Sequence, residues 1–187
     1  MKSQAAEAVR KPRVESGYGS PKPTVQLPIG GLRRAGASDL DELMRLEEAC
    51  FEAWRRDSRR MIRDSLRNPR HEVWVCPEVE SGGERLTATL VLRWLPGALR
   101  VYSLATDPER QGSGMGRFLM DFARRRAEES GVRAMRLEAD AGRKGLLGWY
   151  ERLGFTRETL LKDFYAPGRD AWRMIAKLAD APTALPE

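Results

Sequence analysis

The sequence predicts a mixed α/β fold in which a mostly antiparallel sheet carries helices on both of its faces. Three observations predict this class. Two apolar strands flank the Pro96-Gly97 turn, the second of them leads through a glycine-rich turn into an amphipathic helix, and two final strands flank Pro167-Gly168. At 187 residues, the chain is long enough for one well-buried domain and short for two.

The first half of the domain predicts short strands and two helices. In chain order, these elements are a strand at 32–35, a helix opened by Ser38, a helix at 57–67, and strands at 72–76, 86–94 and 98–106. The second helix turns Met61 inward and ends before Asn68-Pro69. Arginines from Arg55 to Arg67 are expected to form a solvated face, and an alternative is that they guide an acidic substrate or ribosomal RNA.

The second half predicts a parallel crossover followed by a hairpin. Its elements are a helix at 115–129, a strand at 132–139, a helix at 144–153, and strands at 155–164 and 171–178. Gly131 ends the first of these helices. Because a strand, a helix and a strand follow one another, the crossover is expected to be right-handed and the two strands parallel.

Composition suggests a basic domain with tails. Residues 1–30 contain four prolines and no periodic apolar pattern, which predicts a flexible arm before a domain at 31–178 and a tail at 179–187. We expect no signal peptide, membrane span or disulfide framework, and therefore a cytoplasmic location. The net charge is +6 and the pI is near 9.7, which favours anionic partners without separating an enzyme from a ribosome-associated protein.

The glycine-rich turn is typical of a phosphate cradle. Gly112, Gly114 and Gly116 precede and open the helix, so successive backbone N–H groups can converge on an anion at its positive end. The spacing does not fit the dinucleotide fingerprint, and the Gly-Lys-Ser/Thr of a P-loop is missing. This mode of binding requires no metal, and the single histidine, His71, gives little support for a metal site or a histidine triad.

Four segments carry a resemblance to a known family. Gln111, Gly114 and Gly116 meet a Gln/Arg-x-x-Gly-x-Gly/Ala signature, and Tyr-Ser-Leu-Ala-Thr-Asp-Pro, Arg-Leu-Glu and Trp-Tyr-Glu-Arg-Leu-Gly-Phe lie around it in order. Over residues 32–178 the chain resembles the GNAT superfamily of acetyl-CoA-dependent N-acetyltransferases, most closely its RimI-like branch. The resemblance implies a central parallel pair that splays apart, with acetyl-CoA in the slot.

The resemblance also implies which residues bind the cosubstrate. Pantetheine would pair with the strand edge at Leu104, Ala105 and Thr106 through main-chain hydrogen bonds. The pyrophosphate would lie against the turn formed by Gln111, Gly112, Ser113, Gly114, Met115, Gly116 and Arg117. Arg143 stands where the family usually has asparagine, and it is a candidate cofactor contact.

Glu138 and Tyr150 are the candidate catalytic residues. Acetyl transfer to an amine needs a proton acceptor for the amine and a donor for the leaving thiolate. From strand alternation alone, Glu138 fits a surface carboxylate paired with Arg136, and helical spacing alone fits Tyr150 as a core residue. The resemblance implies that Glu138 is the base and Tyr150 the acid.

The acceptor is less well defined by the sequence. The favoured acceptor is a protein N-terminal amine, and lysine, a small amine and a non-catalytic acyl-CoA-binding or ribosome-associated module are the alternatives. Arg169 replaces an acidic residue of the RimI-like pattern beside the expected acceptor groove. Cys50, Phe51 and Trp54 resemble a segment bordering that groove, and Tyr165 can either line the cleft or pack across strands.

Overall fold

The structure is a computed structural model that describes residues 31–80 and 83–178. The predicted arm and tail lie outside these residues. In chain order the strands are β1 Arg33–Arg34, β2 His71–Glu80, β3 Gly83–Leu95, β4 Ala98–Thr106, β5 Ala134–Asp140, β6 Thr156–Ala166 and β7 Arg169–Lys177. The helices are α1 Leu40–Cys50, α2 Arg59–Arg67, α3 Met115–Glu129 and α4 Lys144–Arg152. Among the described residues, none of the helices has the length and apolar character needed to cross a membrane.

The strands of the described region form one sheet in the order β1-β2-β3-β4-β5-β7-β6. Neighbouring strands are antiparallel except for β4 and β5, which are parallel. α3 connects these two strands, as a parallel crossover requires. The mixed, mostly antiparallel sheet predicted from the sequence is therefore confirmed.

β4 and β5 pair only where both strands begin. Their register covers Ala98 with Ala134, Leu99 with Met135 and Arg100 with Arg136, and it ends there. Beyond Arg100, β4 continues to pair with β3, while β5 continues to pair with β7. The two strands therefore separate, and residues 101–106 leave one edge of β4 open in the middle of the sheet.

Helices cover both faces of the sheet. On one face, α3 and α4 pack Leu119, Ala123 and Leu147 into the larger apolar cluster. On the other face, α1 and α2 contribute Leu43, Leu46 and Ile62 to a second cluster. The separation point of β4 and β5 is thus held by packed layers on either side.

Several local expectations need correction. Met61 is 45% exposed rather than inward, because α2 begins at Arg59 after the Ser58 cap, and Ile62 and Ser65 take the buried positions. β2 runs past Cys76 to Glu80, since a bulge between Cys76 and Pro77 lets the strand accommodate the proline. Arg55 lies in the loop after α1 and lines cavities, so it does not belong to a solvated helical face.

Candidate active site

A slot of about 310 Å³ opens where β4 and β5 separate. We call this cavity the donor slot. Its walls come from β4, the glycine turn, α4 and the end of α1, and consist of Cys50, Phe51, Arg55, Leu104, Ala105, Thr106, Gln111, Gly116, Arg143, Leu146, Trp149 and Tyr150. The structure therefore brings together, from four separate segments, seven of the residues that were predicted to bind the cosubstrate or to act in catalysis.

The open edge of β4 forms one wall of the donor slot. Ala105 is buried, so its side chain packs into the core and the strand offers main-chain groups to the slot. The Thr106 carbonyl accepts a hydrogen bond from Cys50 Sγ at 3.4 Å and from Gln111 Nε2 at 3.4 Å. These contacts hold the end of the strand against α1 and against the turn that follows.

The glycine turn has the backbone geometry of an anion cradle. Gly112 and Gly114 have φ values of 79° and 89°, which residues with a Cβ rarely adopt. Gly116 lies within α3 without positive φ, contrary to the expectation of unusual backbone angles there, and an added Cβ would lie 3.5 Å from the Trp149 ring. Two of the three glycines are thus required by backbone conformation.

The remaining turn residues point their side chains away from the cradle. Met115 is buried in the core, Ser113 Oγ donates to the Arg110 carbonyl at 2.6 Å, and Arg117 Nε pairs with Asp121 at 2.9 Å. The first backbone N–H groups of α3 have no acceptor within the helix, because the carbonyls four residues earlier lie before its first turn. Met115 and Arg117 can therefore contact a phosphate through the backbone, whereas the Ser113 N–H already donates to the Arg110 carbonyl at 3.3 Å.

Asp107 anchors the start of the turn, a role that the sequence did not reveal. Its buried carboxylate pairs with Arg45 at 3.1 Å and Arg85 at 2.9 Å, and it accepts a hydrogen bond from the Glu109 N–H. The pKa of Asp107 is lowered overall. Burial acts to raise it, but the hydrogen bonds from Glu109, Arg85 and Arg45 outweigh the effect of burial. The acid thus joins β3 and α1 to the cradle.

Tyr150 lies on α4 and lines the donor slot. Its ring is buried between Trp149, at a centroid distance of 4.8 Å, and Phe155, at 5.9 Å. Burial raises the pKa of Tyr150 to about 12, and the charges of Arg55 and Arg143 oppose the rise. The phenol therefore keeps its proton throughout the neutral pH range, and its ring belongs to the core at the same time.

A second cavity of about 290 Å³ adjoins the donor slot. We call it the acceptor groove. It is lined by Glu47, Phe51, Trp54, Arg55, Arg56, Asp57, Met61, Arg100, Tyr102, Ser103, Glu138, Phe164 and Tyr165. Phe51 and Arg55 line both cavities, so the two spaces meet at these side chains. Glu138 lies in the groove and Tyr150 in the slot.

Glu138 is held by two arginines. Its side chain is 7% exposed, and its carboxylate pairs with Arg100 at 2.7 Å and with Arg173 at 3.2 Å. The alternative of an exposed carboxylate paired with Arg136 is therefore wrong. The partners come from β4 and β7, which flank β5 on either side, and both carboxylate oxygens already accept a hydrogen bond.

Glu47 is a second carboxyl of the acceptor groove and is not among the site residues predicted from the sequence. The side chain is buried on the inner face of α1, where Oε1 accepts a hydrogen bond from the Asp57 N–H at 2.8 Å. Burial raises the pKa of Glu47 to about 7, although this hydrogen bond opposes the rise. The sequence does contain a signal for this buried acid, because Glu47 lies on the same apolar stripe of α1 as Leu43 and Leu46.

Aromatic rings form the outer wall of the groove. Tyr165 donates a hydrogen bond from its hydroxyl to the Glu138 carbonyl at 3.0 Å, and its ring meets Trp54 edge-on at 5.9 Å. Tyr165 thus both lines the cleft and packs against its neighbours. Arg169 lies over the Trp54 ring at 5.1 Å, and Trp54 lines the groove. Arg169 is therefore beside the acceptor groove, as the sequence predicted.

The separated parallel strands and the adjoining glycine cradle define the class of acetyltransferase-fold proteins. Residues 40–155 match the family model of the acetyltransferase (GNAT) family, and the chain belongs to that family. The crystal structure of the ribosomal-protein-S18-alanine N-acetyltransferase from Escherichia coli is similar, with a TM-score of 0.71 at 21% identity over 83% of this chain and 98% of that chain. The expected fold is thereby confirmed.

Curated relatives include a ribosomal-protein-alanine N-acetyltransferase and mycothiol acetyltransferases. The [ribosomal protein bS18]-alanine N-acetyltransferase of Escherichia coli (strain K12) is 32% identical over 65 residues, or 35% of this chain and 44% of the relative. The mycothiol acetyltransferase of Propionibacterium freudenreichii subsp. shermanii is 30% identical over 142 residues, or 71% of this chain and 45% of the relative. The chain spans about half the length of the curated relatives it matches.

Proposed function

We propose that the protein is an acetyl-CoA-dependent N-acetyltransferase that acts on a primary amine, with a protein N-terminal α-amine as the favoured acceptor. The observation that carries the proposal is the donor slot, whose open strand edge adjoins a turn with two positive-φ glycines. An extended chain ending in phosphates fits such a pair of features, because the edge offers main-chain partners and the helix start offers free N–H groups.

Residues of the slot would divide the binding work. Leu104, Ala105 and Thr106 would pair with the pantetheine through their main chain, and the N–H groups around Gly112 and Gly114 would hold the pyrophosphate. Arg143 lines the slot and would add a positive charge to it. Bound acetyl-CoA supplies a thioester that an amine can attack.

Glu138 is the proposed proton acceptor for the amine. Its contacts with Arg100 and Arg173 hold its side chain in the acceptor groove. A free α-amine with a pKa of about 8 loses its proton more readily than lysine at about 10.4, so a carboxylate acting directly or through water suffices for an N-terminus. Glu47 lines the same groove and is the alternative proton acceptor.

Tyr150 is the proposed proton donor for the leaving thiolate. Tyr150 lines the donor slot and not the acceptor groove, and its raised pKa keeps it protonated. A protonated phenol next to the thioester position would give its proton as the carbon–sulfur bond breaks. The arrangement thus separates the base in the groove from the acid in the slot.

The test follows free thiol release from acetyl-CoA with three sets of acceptors: peptides with free N-termini, lysine peptides with blocked N-termini, and small amines. Glu138→Gln and Tyr150→Phe should each lower kcat by about 100-fold or more, because a lost general acid or base costs that much, with little change in acetyl-CoA affinity by calorimetry. Glu151→Gln on the exposed face of α4 is the matched control and should leave kcat unchanged.

Each outcome distinguishes the alternatives. Turnover restricted to free N-termini supports the favoured acceptor, and turnover restricted to lysine peptides or small amines replaces it with that class. Tight acetyl-CoA binding without any turnover would indicate a non-catalytic binding module. Unchanged kcat in both variants would contradict the proposed acid and base, and lack of acetyl-CoA binding would contradict the donor assignment itself.

A further inference from the structure

Arg55 occupies the junction of the cavities around the site. It lines the donor slot, the acceptor groove, and a third cavity of about 680 Å³ that extends toward Arg143 and Arg169. Burial raises the pKa values of Glu47 and Tyr150, and the charge of Arg55 opposes both rises. The guanidinium therefore lies where the acceptor groove and the donor slot meet.

Two aromatic rings fix the position of this guanidinium. Its central carbon lies 4.8 Å from the Phe51 ring centroid and 4.9 Å from that of Tyr165. The Tyr165 ring is itself immobilised by the hydrogen bond from its hydroxyl to the Glu138 carbonyl and by the edge of Trp54. A planar cation packed against rings is pre-organised, so little conformational entropy is lost when it binds an anion.

The guanidinium has no polar partner within residues 31–80 and 83–178, where neither a hydrogen bond nor an ion pair to it is found. Its neighbours differ, since Arg56 donates to the Phe51 and Glu48 carbonyls and Arg100 pairs with Glu138. Arg55 is half-buried, and a partly desolvated cation without a counter-charge attracts an anion more strongly than an exposed one. Its N–H donors are available to a ligand.

The carboxylates that line the groove are each engaged elsewhere. Glu138 pairs with two arginines, Asp57 accepts a hydrogen bond from the Tyr102 hydroxyl at 2.8 Å, and Glu47 accepts one from the Asp57 N–H. None of these three carboxylates forms an ion pair with Arg55, so a bound anion would give the guanidinium the ion pair that the groove does not. A guanidinium fork fits a carboxylate in a bidentate manner.

We propose that Arg55 is a specificity residue that binds a carboxylate carried by the acceptor close to its amine, as in a free amino acid or a peptide with an acidic residue beside its N-terminus. This inference rests on the proposed function. A carboxylate could also belong to the acyl group of the donor, but the ring partner Tyr165 lines the acceptor groove and not the donor slot, which favours the acceptor.

The experiment compares acceptors that differ by one carboxylate. The probes are peptides that begin Ala-Asp against Ala-Asn, and free alanine against alaninamide. For each pair, kcat/KM is measured by thiol release with acetyl-CoA, and Kd is measured by calorimetry on protein saturated with CoA. The variants are Arg55→Gln, Arg55→Lys, which keeps the charge and loses the fork, and Arg63→Gln on the exposed face of α2 as matched control.

The wild type should prefer the carboxylate member of at least one pair by about tenfold or more, the range expected for one charge-assisted hydrogen bond. Arg55→Gln should bring this ratio to about one, whatever its effect on the rate with the neutral member. Arg55→Lys should retain part of the preference, and Arg63→Gln all of it. A wild-type ratio near one, or an equal loss for both members in Arg55→Gln, would overturn the proposal in favour of a packing role.

Two further arms separate the possible failures. If no acceptor turns over, the Kd ratio on the CoA complex still decides the role of Arg55, while the proposed catalysis fails. Replacing acetyl-CoA by succinyl-CoA tests the other source of the carboxylate. An Arg55→Gln protein that loses activity with succinyl-CoA alone, at an unchanged acceptor ratio, would assign the carboxylate to the acyl group and overturn the acceptor assignment.

Discussion

Replacing Glu47 by glutamine should stabilise the protein above neutral pH. The pKa of Glu47 rises from an ordinary 4.5 to about 7. Between these values the folded protein keeps a proton that the unfolded chain has released, so stability falls as pH rises from about 4.5 to about 7. At roughly 1.4 kcal/mol per pKa unit, the full penalty above pH 7 is about 3 kcal/mol.

The glutamine variant does not ionise, and its side-chain oxygen can still accept the hydrogen bond from the Asp57 N–H. At pH 8.5 its free energy of unfolding should exceed that of the wild type by up to about 3 kcal/mol, which corresponds to a rise in Tm of roughly 6–12 °C. The difference should shrink as pH falls through 7 and vanish below about 4.5.

Urea unfolding followed by circular dichroism from pH 4.5 to 8.5 measures this difference. Glu48→Gln is the matched control, because Glu48 is the exposed neighbour on the same helix and should change stability by less than about 0.5 kcal/mol at any pH. A Glu47→Gln protein no more stable than the wild type at pH 8.5 would refute the reasoning. A gain that does not depend on pH would refute it as well.

Two further predictions concern the cradle. Gly114→Val should abolish acetyl-CoA binding measured by calorimetry, since φ near 89° is closed to valine, whereas Gly116→Ala should bind within about threefold of the wild type because its Cβ meets only ordinary van der Waals contact. Equal losses of acetyl-CoA affinity in the two variants would contradict the different roles given to Gly114 and Gly116. Asp107→Ala should cost about 3 kcal/mol of stability, because the guanidinium groups of Arg45 and Arg85 lose a buried partner. The same variant should weaken acetyl-CoA binding. Glu109→Ala, at an exposed position nearby, should change neither stability nor binding.

The sequence was most informative where local chemistry decides the structure. The bounds of α3 were predicted correctly because Gly114 starts the helix in a left-handed conformation and Gly131 follows its end. The bounds of β4 were also correct, since the Pro96-Gly97 turn and the glycine turn delimit it. These signals act within a few residues, so reading them needs no knowledge of the tertiary structure.

Features that depend on distant segments were out of reach. The two arginines at Glu138 come from strands 38 and 35 residues away, and no spacing in the sequence connects them. Arg55 precedes the helix expected at 57–67, and it was grouped with the arginines of that helix as part of one solvated face. Its place in the loop between the cavities was not predicted. Its packing against Tyr165 exists only after β6 and β7 have folded back on the loop after α1.

The open edge of β4 also has a consequence for the cell. Exposed strand edges pair readily with other chains, and proteins usually protect them with charges, bulges or covering segments. Here the edge at residues 101–106 lies between two layers of helices, where the proposed cosubstrate would complete the sheet as an additional strand. Under that proposal, the coenzyme A pool would act as a folding partner, protecting this protein from aggregation and proteolysis whenever its concentration exceeds the dissociation constant.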